Sequence, residues 1–225
     1  MNFASANSLI VFPVVLLGWL FSLCLHEFAH ALVAYHGGDT SVRDKGYLSL
    51  NPLRYIDPQL SIIYPLIFLF IGGLGLPGGA VLINRAKLKS PMWASAVSLA
   101  GPVTNAILAL LLGLAFHLVP GLSTGSLGAG LAFLTLLQVS AVILNLLPVP
   151  GLDGFGIISP FLPDNVRALA RDYGQGAIMV LFLAFWVVPG LSALFWNNVF
   201  HLSGALGVPT SLAIEGQQAF MFWRH

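Results

Sequence analysis

The sequence predicts an all-α polytopic membrane protein, with about four full transmembrane helices, a re-entrant segment and a short β-hairpin. Three observations carry this. Of 225 residues, 57% are hydrophobic and only 8% are charged, against about a quarter charged in an ordinary soluble domain. A chain so poor in charge cannot cover a water-facing surface, and its mean hydropathy is +0.90. Apolar runs approaching the length needed to cross a bilayer recur along the whole chain.

The first run covers roughly 8–35 and stops at His36-Gly37-Gly38, a helix-ending signal. It holds no Lys or Arg within residues 1–18, so it does not read as a cleaved signal peptide. A polar stretch follows, with turn chemistry in NPLRYIDP. The run 60–76 is short, contains Pro65 and ends in glycines, which suits an element that dips into the membrane and returns. LPGGAVLIN, 76–84, reads as a turn and a short strand. Two long runs follow at about 92–119 and 127–148, then a polar stretch, a last run at about 176–199, and a mixed tail over 200–225. No polar domain of useful length interrupts them. The chain reads as one domain, 1–225, with a core at about 8–160 and a C-terminal helix and tail at 161–225.

The net charge of +1 gives no argument for a nucleic-acid partner. The single cysteine, Cys24, excludes an intramolecular disulfide.

Within the first run stands His26-Glu27-Phe28-Ala29-His30. On a helix, residues i and i+4 share a face, so two imidazoles at this spacing can bind one zinc ion. Glu27 beside them can take a proton from water at the metal. An alternative is that these are satisfied core histidines with a paired carboxylate. Three ionisable groups in one apolar span are costly, and such residues mark function more often than packing. A catalytic zinc takes three protein ligands and keeps one position open. Asp153 is the best third ligand: it follows the fourth long run in NLLPVPGLDG, where Pro148, Pro150, Gly151 and Gly154 break the helix. On spacing alone it is as well read as a loop aspartate. Asp39, Asp57, Asp164 and Asp172 sit in more polar surroundings.

These residues resemble the site-2 protease family of intramembrane zinc metalloproteases, in its compact branch without a PDZ domain. HEFAH looks like that family's zinc-binding motif, NLLPVPGLDG like the motif that carries its third ligand, and SLAGPVTN like its G-P-x-x-N element. GYLSLNPLRYIDP and LPGGAVLIN are similar to the same branch, so the likeness runs through most of 18–160. The resemblance implies zinc ligands His26, His30 and Asp153, with Glu27 as catalytic residue and Asn145 near the active site. The chain departs from many relatives in having Phe155 and Gly156 after L-D-G, and in its glycine-rich approach to Val81.

Parity tests the topology. If 60–76 returns to the side it left, Asp153 ends beside the histidines; if it crosses, Asp153 ends opposite them. The returning path also places Arg43, Lys45, Arg54, Arg85, Lys87, Lys89, Arg167 and Arg171 on the side of the histidines, eight of the nine basic residues, leaving Arg224. That side is then cytoplasmic. The expectation is a multi-pass cell-membrane protease with one Zn2+ per chain. It would cut transmembrane protein substrates in the lipid bilayer, towards the cytoplasmic side, in regulated intramembrane proteolysis. Asn105 and Asn145 are candidate donors to substrate or oxyanion, or else polar joints between helices. An extended substrate is expected to pair with the strand near Ala80–Ile83. The alternative is a zinc-binding membrane protein without proteolytic activity, or a metal transporter.

Overall fold

In a bilayer every backbone polar group must find a partner inside the chain, so long apolar runs become helices. The computed structural model describes residues 3–50 and 81–224, so the proposed re-entrant path of 60–76 lies outside the described residues. Helix α1, Phe3–Gly37, carries the first run as one 35-residue helix. A single turn, α2 (Ser41–Asp44), follows it. Helix α3, Pro91–Leu118, starts where the sequence chemistry asks for a start: Pro91 occupies the first turn and the Ser90 hydroxyl accepts the Trp93 N–H. Helix α4 is Gly125–Asn145, α5 is Asp153–Ile158, α6 is Asp164–Val187, α7 is Leu191–Ala205 and α8 is Thr210–Phe220.

Three of these are long and apolar enough to cross a membrane: Asn7–Gly37, Pro91–Leu118 and Gly125–Asn145. The expected last span is not one straight helix. Gly176–Val187 and Leu191–Ala205 meet at a 94° bend. Pro189 cannot donate to the helix ladder, and Gly190 takes a left-handed conformation (φ 82°) that ends one helix and opens the next. The expected β-hairpin is also corrected. Residues 81–84 run extended, and no strand forms among the described residues. Side chains take up the polar groups of Val81, Leu82 and Asn84 described below.

Helix α4 is the hub. In its most apolar window 78% is buried inside the protein, against 33% for α1 and α3. The core around it joins Val11, Val15 and Trp19 of α1 to Phe133 and Leu137 of α4 and Phe220 of α8. The tail from 200 onward thus packs on the bundle. The C-terminal part of α1 lies along the start of α3, tied by the Lys89 N–H donating to the Gly37 carbonyl (2.8 Å). That contact brings the two histidines of α1 against α3.

Candidate metal centre

One helical turn apart on α1, the rings of His26 and His30 meet edge to face, with centroids 4.7 Å apart. Each ring is held from behind by α3. The His30 Nδ1 donates to the Val97 carbonyl at 2.6 Å, and a carbonyl only accepts, so the proton sits on Nδ1. The His26 Nδ1 is hydrogen-bonded to the Asn105 Oδ1. Asn105 in turn donates through Nδ2 to the Gln138 Oε1 (2.7 Å), and the Gln138 Nε2 donates to the Ser22 Oγ (2.9 Å). The Ser22 hydroxyl closes the chain on the Trp19 carbonyl (2.8 Å). With both amides used at both ends, their orientation is set, and His26 also carries its proton on Nδ1.

In neutral rings so held, both Nε2 atoms present lone pairs, and they lie 3.0 Å apart. The Asp153 carboxylate completes the triangle, 3.2 Å from the His26 Nε2 and 3.4 Å from the His30 Nε2. Three acceptors facing one another call for a cation at the centre. The spacing fits one: with metal–ligand bonds of about 2.1 Å, tetrahedral ligands stand about 3.4 Å apart. Gly101 of α3 keeps that space open, because a methyl group there would fall on the Nε2 atoms of both histidines.

Asp153 reaches this point because the chain turns back sharply after α4. Gly151 takes φ 97° in the turn. Gly154 lets α5 press on the Leu146 and Leu147 carbonyls, where a Cβ has no room. Asp153 is the first residue of α5.

Glu27 is buried, with a carboxylate oxygen in the same ligand-sized cluster as the two histidines, all within 4.8 Å of one another. Its Oε2 accepts the Val81 N–H (3.3 Å). The extended segment is fixed at two further points: the Lys45 Nζ donates to the Leu82 carbonyl (2.6 Å), and the Asn84 N–H donates to the Asp39 Oδ2 (2.6 Å). Asp39 is fully buried, and its other oxygen takes the Ser41 hydroxyl (2.5 Å). Burial pushes the Asp39 carboxyl up, but the Ser41 hydroxyl and the backbone N–H groups of Asn84 and Ser41 outweigh it and hold it below its ordinary value.

The cluster opens into a cavity of about 760 Å³, lined by Val81–Ile83, Asn145 and, from α6, Ile178 and Phe182. Of the two asparagines singled out in the sequence, Asn105 spends both ends of its amide on His26 and Gln138. Asn145 differs: it is 1% exposed, and its amide nitrogen has no hydrogen-bond partner among the described residues. The sequence reading missed Gln138 and Ser22, although the signal was present, since they are polar residues inside apolar runs. Asp39 reads from the sequence as lying in polar surroundings, whereas it is fully buried and holds Asn84 and Ser41.

The chain is 44% identical over 216 residues to the "Putative zinc metalloprotease Rip2" of Mycobacterium tuberculosis, a match covering 95% of this chain and 82% of that protein. It is also 44% identical to the protein of the same name from Mycolicibacterium smegmatis, over the same shares. It is 35% identical to the "Putative zinc metalloprotease YwhC" of Bacillus subtilis, over 82% of this chain and 84% of that one. No family model and no solved structure matches the chain. Identity at this level along nearly the whole length decides the matter: the chain belongs to the site-2 protease family of zinc metalloproteases.

Proposed function

We propose that this zinc metalloprotease hydrolyses peptide bonds in or near the transmembrane segments of membrane proteins. In this reading His26, His30 and Asp153 hold one zinc ion and Glu27 is the catalytic base. The carrying observation is the convergence of three acceptors around a space kept clear by Gly101, with Glu27 beside it. His26, Glu27 and His30 sit on a helix apolar enough to cross a membrane. Zinc, when bound, supplies Lewis acidity: it lowers the pKa of water and polarises a peptide carbonyl.

The chain's own residues do the rest. Asn105 and the Val97 carbonyl fix the ring tautomers so that both Nε2 atoms face the metal position. Glu27 takes the proton of the attacking water on its carboxylate and passes it to the leaving amine nitrogen. The Val81 N–H holds that carboxylate in place. Asn145, with its amide free and lining the cavity, donates to the carbonyl oxygen as negative charge develops on it. The substrate is a membrane segment unwound locally, because a helix hides its carbonyls. Arg43, Lys45, Arg85, Lys87, Lys89, Arg167 and Arg171 flank the site end of the helices, which supports a cytoplasmic position for that end.

The test pairs zinc analysis with cleavage of a transmembrane substrate in proteoliposomes, for wild type, Asp153→Ala and Glu27→Gln. Wild type and Glu27→Gln should hold about one zinc per chain, and Asp153→Ala should hold little. Only wild type should cleave. Zinc retained by Asp153→Ala sinks the third ligand; cleavage by Glu27→Gln sinks the assigned base.

A further inference from the structure

A second cavity, of about 990 Å³, lies beside the metal centre at the same end of the bundle. Its wall carries four cations, Arg85, Lys89, Arg167 and Arg171, and among the described lining residues a single carboxylate, Asp164. That carboxylate is already paired with the Arg167 Nη2. The Arg167 Nε is buried and has no hydrogen-bond partner among the described residues. A guanidinium N–H removed from water without an acceptor is costly, and the cavity beside it holds an excess of positive charge. Both facts point to an anion. Ser90 and Pro91 also line the space, so the N-terminus of α3 opens onto it and adds its partial positive charge.

The setting narrows the anion. The cavity lies where α3 enters its apolar stretch, and the end of an apolar span meets the headgroup region of a bilayer. Lys89 lies over the Trp93 ring, 5.5 Å from its centroid, and Trp is an interfacial residue. On the neighbouring elements Phe161 and Leu169 are 61% and 60% exposed, which suits contact with acyl chains. Arginine forks match the paired oxygens of phosphate. We infer that this cavity binds the phosphate of an acidic phospholipid headgroup. The chemistry it reads is a phosphate ester anion, and a soluble phosphoester is the other source of that chemistry.

Native mass spectrometry of the full chain in non-ionic detergent tests this, with phosphatidylglycerol, phosphatidylcholine and sn-glycerol 3-phosphate as probes. Phosphatidylglycerol should be retained in preference to phosphatidylcholine. The double variant Arg167→Gln/Arg171→Gln should weaken that retention roughly ten-fold or more. Arg167→Lys/Arg171→Lys, which keeps the charge, should retain more lipid than the glutamine pair, and circular dichroism checks that each variant is folded. Arg43→Gln/Lys87→Gln removes the same charge from the same end, outside this cavity, and should leave retention unchanged. Equal retention of the two lipids overturns the proposal, as does an equal loss in the Arg43/Lys87 pair, which reduces it to general surface potential. Retention of sn-glycerol 3-phosphate without the lipid overturns the lipid source.

Discussion

The two ends of the helix bundle are built from different materials. Away from the metal centre, Phe12 stacks on Phe220 with centroids 5.3 Å apart, and Phe133 leans on the same ring at 5.7 Å. Phe133 and Phe220 are fully buried. Ring contacts dominate there, and dispersion contacts are individually weak and interchangeable. At the other end a line of hydrogen bonds runs Trp19–Ser22–Gln138–Asn105–His26, in which each inner side chain is engaged on both sides. The first kind of region tolerates change by repacking. The second has no spare partners, and a broken link leaves a polar group stranded at membrane depth. Mutations should therefore separate: those at the aromatic end move stability, those at the polar end move zinc and chemistry.

The largest effect should come from Gly101→Ala. Its methyl group lands on both Nε2 atoms, so zinc should be absent by elemental analysis and cleavage undetectable. Gly204→Ala, with open space around it, is the matched control and should behave as wild type. Next comes Glu27→Gln, which should cut the cleavage rate about 10²- to 10⁴-fold while zinc content stays at the wild-type level. Gln138→Leu removes the partner of Asn105 without touching a ligand. It should weaken zinc affinity about 10- to 100-fold in a competition titration with a chelator. Wild-type affinity in that variant would show that the polar line only joins helices. Phe220→Leu should lower stability by about 1 kcal/mol and leave cleavage per folded molecule unchanged.

The smallest effect concerns Asp39. Its carboxyl is held below the ordinary value of 3.8, so the stability it adds is present above that pH and is lost as pH falls through the lower folded value. Asp39→Asn should be less stable than wild type at pH 7 by about 1–2 kcal/mol, and the gap should close below pH 3.8. A gap that does not change with pH would mean that the charge on Asp39 is not what anchors Asn84.

Much of the architecture was legible in hydropathy alone. The runs at 8–35, 92–119 and 127–148 correspond to α1, α3 and α4, because a bilayer leaves an apolar segment of that length little choice. The bend at Pro189-Gly190 was less legible, since hydropathy averages over a window and continues smoothly across it. The strand read at 80–83 is not borne out among the described residues 81–83. Extended backbone and strand have the same local signature, and only a partner distinguishes them. The partners seen for Val81, Leu82 and Asn84 are the side chains of Glu27, Lys45 and Asp39. The spacing of His26 and His30 was visible, whereas the tautomer each ring adopts depends on Val97 and Asn105, distant in sequence and reachable only through the packing of α1 on α3.

The burial of α4 bears on how the molecule is made. By composition α4 is apolar enough to enter the bilayer alone, and in chain order it is made before its last neighbour, α8. Its final surroundings include α8, where Gly216 fits against Ala129 and Phe133. Lipid that first solvates α4 must therefore be displaced by residues translated some eighty positions later. Until then the hub of the bundle is wrapped in the wrong solvent, and maturation of the enzyme waits on the ribosome reaching the end of α8.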